Sequence, residues 1–202
     1  MPLVRKPSSQ TPAAAEAPPL DEGTSEQRWS AVRAAAERPE GLTLLAEALQ
    51  RESDPRVREA IFTGLARLAT PGSAAVVLPY LRSDDANLRS GAVDALRAMP
   101  QACLPHLPAL LADSDADVRL LSCELARNMP DEEANRLLCD LLERETEKNV
   151  CAAAIEVLAE IGRPEALPSL TRCGTRFSGD PFITFSLKVA TERIIAPARE
   201  RR

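Results

Sequence analysis

The chain has 202 residues and a formal net charge of -5, with 45% hydrophobic, 27% charged and only 3% aromatic residues. That length suits one domain or one short repeat array. Six aromatics (Trp29, Phe62, Tyr80, Phe177, Phe182, Phe185) are too few for a base-stacking platform or an aromatic-lined ligand pocket, and the acidic balance argues against a whole-chain phosphate-binding field.

Residues 1–23 are rich in Pro, Ala and Ser and are expected to be a disordered tail, because they have too little apolar surface to offset their ordering entropy. The start Met1-Pro2-Leu3-Val4-Arg5-Lys6 has no apolar core of a secretory signal, and no apolar run approaches the roughly 18 residues of a spanning helix. Order is expected from Thr24, which with Gln27 forms a capping box. A helix over 25–37 follows, with Trp29, Val32, Arg33 and Ala36 on its inward stripe and Pro39-Glu40-Gly41 as its stop.

Beyond it the chain repeats. Ser53-Asp54-Pro55-Arg56-Val57-Arg58 returns as Asp84-Asp85-Ala86-Asn87-Leu88-Arg89 and as Ser114-Asp115-Ala116-Asp117-Val118-Arg119. Weaker copies are Glu147-Lys148-Asn149-Val150-Cys151 and Asp180-Pro181-Phe182-Ile183-Thr184. The aligned apolar residue stands at 57, 88, 118, 150 and 183, so the steps are 31, 30, 32 and 33, a period that signals a solenoid. Each acidic residue is placed to cap a helix, and Pro55 and Pro181 take the first helical position, where a missing N–H costs nothing. Apolar residues then recur at helical spacing: Val57, Ile61, Phe62, Leu65, Leu68; Leu88, Ala92, Val93, Leu96, Met99; Val118, Cys123, Leu125, Met129; Val150, Ile155, Leu158, Ile161. Between these helices lie shorter amphipathic ones with Leu-Pro-x-Leu at Leu78, Leu104, Leu107 and Leu167, and each is expected to bend at its proline.

This pattern, most plainly Cys103-Leu104-Pro105-His106-Leu107-Pro108-Ala109-Leu110-Leu111-Ala112-Asp113-Ser114-Asp115-Ala116-Asp117-Val118-Arg119, resembles the HEAT repeats, of the short bacterial kind related to HEAT-like phycobilin lyases. The resemblance covers about 40–195, with 25–39 as a degenerate cap. It implies an all-α superhelix of about five helix pairs plus an N-terminal capping helix, spanning 24–195, with second helices lining a concave, macromolecule-binding face; residues 196–202, with three basic and one acidic side chain, read as a basic tail. It also implies a ladder of Asp–Arg pairs between turns: Asp54 with Arg58, Asp85 with Arg89, Asp115 with Arg119. Cys151 and Thr184 stand where further arginines would be, so the ladder is expected to end after the third copy.

On the solvent side of the second helices, Asp94, Glu124 and Glu156 are expected to form an acidic stripe beside Arg97 and Arg127, with Leu120 in an exposed slot that Glu59 and Ser90 hold in earlier repeats. These six are the candidate partner-binding residues. No catalytic, cofactor or metal site is indicated: phosphate-loop and zinc-protease motifs are absent, the lone His106 is expected at the surface, and Glu132-Glu133 suit a helix start. Cys103, Cys123, Cys139, Cys151 and Cys173 contain no Cys-x-x-Cys and read as buried apolar fillers in a reducing cytoplasm. The residues between the two tails carry 20 basic and 26 acidic side chains, the wrong sign for the duplex-DNA grip of HEAT-fold glycosylases. The reading is a cytoplasmic, monomeric adaptor or scaffold that binds another protein, in bacterial signalling. Chromophore handling, as in the phycobilin lyases, is the alternative, and a HEAT-fold DNA-binding or glycosylase protein a lesser one; neither nucleic acid nor membrane is an expected partner.

Overall fold

The computed structural model describes residues 20–200, with side chains for 20–196. The tail expected over 1–23 thus lies outside the described residues up to Pro19, and residues 201–202 of the C-terminal tail lie outside them as well. Leu20–Gly23 form a turn: Leu20 packs on the core and the Gly23 carbonyl accepts from Arg28 at 2.9 Å.

All regular structure in the described residues is helical. A capping helix α1 (Ser25–Ala35) precedes five pairs. The second helices are α3 (Pro55–Leu68), α5 (Ala86–Ala98), α8 (Ala116–Ala126), α10 (Lys148–Ile161) and α12 (Pro181–Glu200). The first helices are α2 (Gly41–Arg51), α4 (Pro71–Val77), the broken pair α6 (Pro100–Cys103) and α7 (Leu107–Leu110), α9 (Asp131–Arg144) and α11 (Leu167–Arg176). Second helices stack in one layer, α1 on α3, α3 on α5, α5 on α8, α8 on α10 and α10 on α12, while the first helices form the other layer. The fold is an all-α superhelix of stacked repeats.

Local chemistry sets the helix starts. Thr24 and Gln27 close their capping box. Asp54 accepts from the N–H groups of Arg56 (2.9 Å) and Val57 (3.4 Å), Asp85 from Asn87 (2.8 Å), Asp115 from Asp117 (2.9 Å), and Asp180 from Phe182 and Ile183 (both 3.0 Å). The Leu-Pro segments break α-helical pairing: Leu78–Arg82 and Leu104–His106 are 3-10 turns, whereas Pro168 opens α11. The fourth first helix, α9, departs from the expected bend. It has no internal proline and runs 14 residues, with Asp131, Glu132 and Glu133 in its first turn.

The core lies between the layers, where Leu45, Ile61, Leu65, Leu96, Leu125, Leu138 and Leu141 are fully buried. Successive repeats also interlock through their side chains. Phe62 meets Tyr80 edge-on at 5.8 Å and lies so close to Gly91 that a Cβ there would stand 2.6 Å from its ring. Val32, Phe62, Val93, Cys123 and Ile155 all occupy the position eight residues after the N-cap, and all are buried. In α12 that position is the exposed Lys188, and Thr184 and Thr191 flank it. The side of α12 away from α10 thus carries polar residues where the earlier helices carry buried apolar ones.

Trp29 departs from its expected place in the core. It is 37% exposed, with the Arg33 guanidinium 4.8 Å over its ring, and α1 buries Ala31, Val32 and Ala35 instead.

Candidate functional site

The repeats are joined by charged side chains, though not in the expected register. Of the three aspartates expected in the ladder, Asp85 is the one that pairs with an arginine of the preceding repeat, taking Arg58 at 2.9 Å. Arg119 instead forms a two-pronged pair with Glu145 at 2.6 and 3.0 Å, and Arg28 forms the same pair with Glu52 at 2.7 and 3.0 Å. Glu52 and Glu145 stand two residues before their N-caps. Each also accepts from two backbone N–H groups, those of Ser53 and Asp54 and of Thr146 and Glu147. Arg89 makes no such bridge: it donates to the Ser83 and Asp84 carbonyls of its own turn. The equivalent acceptor facing it is Asp113, one methylene shorter than glutamate, and its carboxylate is taken by Arg82 and the Asp115 N–H.

The expected end of the ladder at the third copy is also corrected. The Cys151 thiol takes the own-turn carbonyl contact, 3.8 Å from Glu145 O, and Lys148 carries the link onward to Asp180 at 3.1 Å. The sequence signal for this register is a glutamate two residues before the N-cap and 24 or 26 residues after an arginine.

These pairs shape the local electrostatics. The Arg28 hydrogen bond holds the Glu52 carboxyl below the usual range. Burial works to raise Glu145, but Arg119 and the two N–H groups outweigh it and the net shift is downward. Arg172 and Ser169 bring Glu143 down to about 2. Burial raises the Cys103 thiol to about 11 and moves Cys123 upward further, which suits packing rather than nucleophilic chemistry.

The free face of the second-helix layer carries two recurring rows. Five residues after each N-cap stand Trp29, Glu59, Ser90, Leu120, Ala152 and Phe185; nine after it stand Arg33, Thr63, Asp94, Glu124, Glu156 and Val189. A groove of about 530 Å³ between α1 and α3 is lined by Trp29, Arg33, Glu59, Thr63 and Arg67, among others. A second of about 440 Å³ between α3 and α5 is lined by Glu59, Phe62, Thr63, Gly91 and Asp94, among others, so the two share a wall.

The structure spreads the candidate residues along this face and alters their environments. Asp94 is exposed. Arg97 is half-buried and donates to Asn128 at 3.3 Å. Leu120 is half-buried against the core, not exposed as expected, because its position lies at the edge of the inward stripe. Arg127, expected to be exposed, keeps only 21% of its side-chain surface. It reaches Glu124 (3.3 Å), Glu156 (3.7 Å) and Glu160, so the two stripes merge into one paired cluster. His106 is half-buried in its 3-10 turn. Among the described residues, no helix is long and apolar enough to cross a membrane, and no group of three or more His, Cys, Asp and Glu is arranged to hold a metal ion.

A family model described as HEAT repeats matches residues 20–97 and 104–177. The chain belongs to the HEAT-repeat family. Solved structures share the fold of this HEAT array at low identity. A chain from a structure titled for microtubule plus-end tracking by XMAP215, CLIP-170 and EB1 is 14% identical, with a TM-score of 0.56 over 87% of this chain and 88% of that one. Cex1p is 12% identical, with a TM-score of 0.50 over 86% of this chain and 40% of its own. Human deoxyhypusine hydroxylase is 15% identical, with a TM-score of 0.45 over 88% of this chain and 94% of its own. No curated protein matches the chain.

Proposed function

We propose that this HEAT array is a non-enzymatic adaptor that docks another protein along the free face of its second helices. The observation that carries this is the continuous depression across α1, α3 and α5, two grooves with Glu59 and Thr63 as a common wall. Its long, shallow, mixed-polarity form suits an extended protein segment rather than an enclosed small molecule. Asp94, Arg97, Leu120, Glu124, Arg127 and Glu156 continue the same face toward the C-terminal repeats and are its proposed contact residues. The inter-repeat ion pairs support this role by holding the spacing of the rows.

Selection of displayed random peptides against the purified protein tests the proposal. Selected binders are expected to weaken with Asp94→Arg and Glu156→Arg, both at exposed positions, and to be indifferent to Glu132→Arg on the first-helix layer. Binders that follow Glu132→Arg and ignore the other two changes would refute it.

A further inference from the structure

The C-terminal half of the free face differs in chemistry from the rest. Phe182 and Phe185, one turn apart on α12, are 60% and 65% exposed. A lone exposed apolar residue is ordinary, but two of the chain's six aromatics standing side by side in water are not. They lie apart from the side of α12 that faces away from α10, which carries Thr184, Lys188 and Thr191. They occupy the rows two and five residues after the N-cap, the first of which holds Arg56, Asn87, Asp117 and Asn149 in earlier repeats. The half-buried Ala152 of α10 and Leu120 of α8 extend the second row, making an apolar strip across three helices.

Acid borders this strip. On the same face of α8 and α10 stand four carboxylates, Asp117, Glu124, Glu156 and Glu160, against the single guanidinium of Arg127. Arg127 is already shared among three of them, which leaves a net charge of -3. A ligand for this surface needs apolar side chains for the strip and positive charge for its border. Successive second helices lie about 8–10 Å apart, so the strip from α8 to α12 is about 20 Å long, the length of about 13 residues of helix.

We infer that the free face of α8, α10 and α12 takes a basic amphipathic helix of another protein, with Phe182 and Phe185 as anchors for its apolar side. This rests on the reading of the free face as a docking surface and adds the chemistry of the partner. The carboxylates steer association, and the two phenylalanines, desolvated in the complex, control dissociation.

The probes are two fluorescein-labelled helical peptides with leucines at helical spacing, one with lysines elsewhere and one with glutamates. The lysine peptide is expected to bind at least about tenfold more tightly than the glutamate peptide and to weaken as salt rises. The double change Phe182→Ser with Phe185→Ser is expected to weaken it by at least about tenfold with an unaltered helical spectrum, since both side chains are exposed. Asp117→Lys with Glu156→Lys should slow association and flatten the salt dependence. Equal binding of both peptides, or binding indifferent to the two phenylalanines, overturns the inference. So does a dimer of the protein alone that the phenylalanine changes dissolve, because the strip would then belong to a second copy. Selected peptides that map to the free face but are acidic or neutral overturn this inference alone; peptides that map to the first-helix layer overturn the docking surface itself.

Discussion

Removing the guanidinium of Arg119 should weaken the array at its middle. Glu145 keeps 3% of its side-chain surface and Arg119 keeps 15%, so the pair that joins α8 to the turn before α10 is largely out of water. In Arg119→Met the carboxylate stays buried with two N–H donors, from Thr146 and Glu147, and no counter-charge. Breaking a buried pair from one side costs about 3–5 kcal/mol, and the retained N–H donors with the partial exposure of Arg119 place this case near the lower end, at about 3 kcal/mol. Glu145→Gln removes the charge but keeps a carbonyl acceptor for the same donors, and should cost about 1–2 kcal/mol. The control is Arg136→Met, which breaks an exposed pair with Glu133 and Asp140 within α9 and should cost under about 1 kcal/mol. Urea unfolding followed by circular dichroism reads all three. If Arg119→Met costs no more than Arg136→Met, the pair is not a clamp between repeats.

Two further outcomes are expected. Glu52, Asp85, Glu143, Glu145 and Asp180 are all held below their usual values in the folded protein. Their stabilisation is complete above the unfolded glutamate value of 4.5 and is lost as pH falls through the folded values, down to about 2 for Glu143. The melting temperature should be level from neutral pH to near 5 and then drop, less steeply in Glu52→Gln with Glu145→Gln; an unchanged slope in that variant would contradict the assignment. Ala69 closes α3 in the left-handed region with φ of 49°. Ala69→Gly relieves about 1 kcal/mol of strain against a smaller entropic loss from the unfolded chain, a net gain of about 0.5 kcal/mol in thermal unfolding; a loss typical of glycine in a helix interior would refute it.

The period, the N-caps at Asp54, Asp85, Asp115 and Asp180, and the two helix types were all readable from the sequence. Each depends on atoms within about a turn of chain, as when Asp54 takes the N–H groups of Arg56 and Val57. Burial was readable for residues in the middle of the inward stripe, such as Ile61, Leu65 and Cys123, where any rotation of the helix keeps them inside. It was not readable at the stripe's edges. Trp29 turned outward and Leu120 inward because the neighbouring helix, not the helical period, decides whether an edge position is covered. The charged partners were likewise settled by stacking: Arg119 reaches Glu145 across 26 residues and Arg58 reaches Asp85 across 27, while Arg89 turns back to its own loop where an aspartate is one methylene short. The chain states which residues are charged and how often they recur. Only the distance between stacked repeats, set by side chains such as Phe62 against Gly91, selects which of them meet, and only the packing shows that Phe182 and Phe185 stay uncovered.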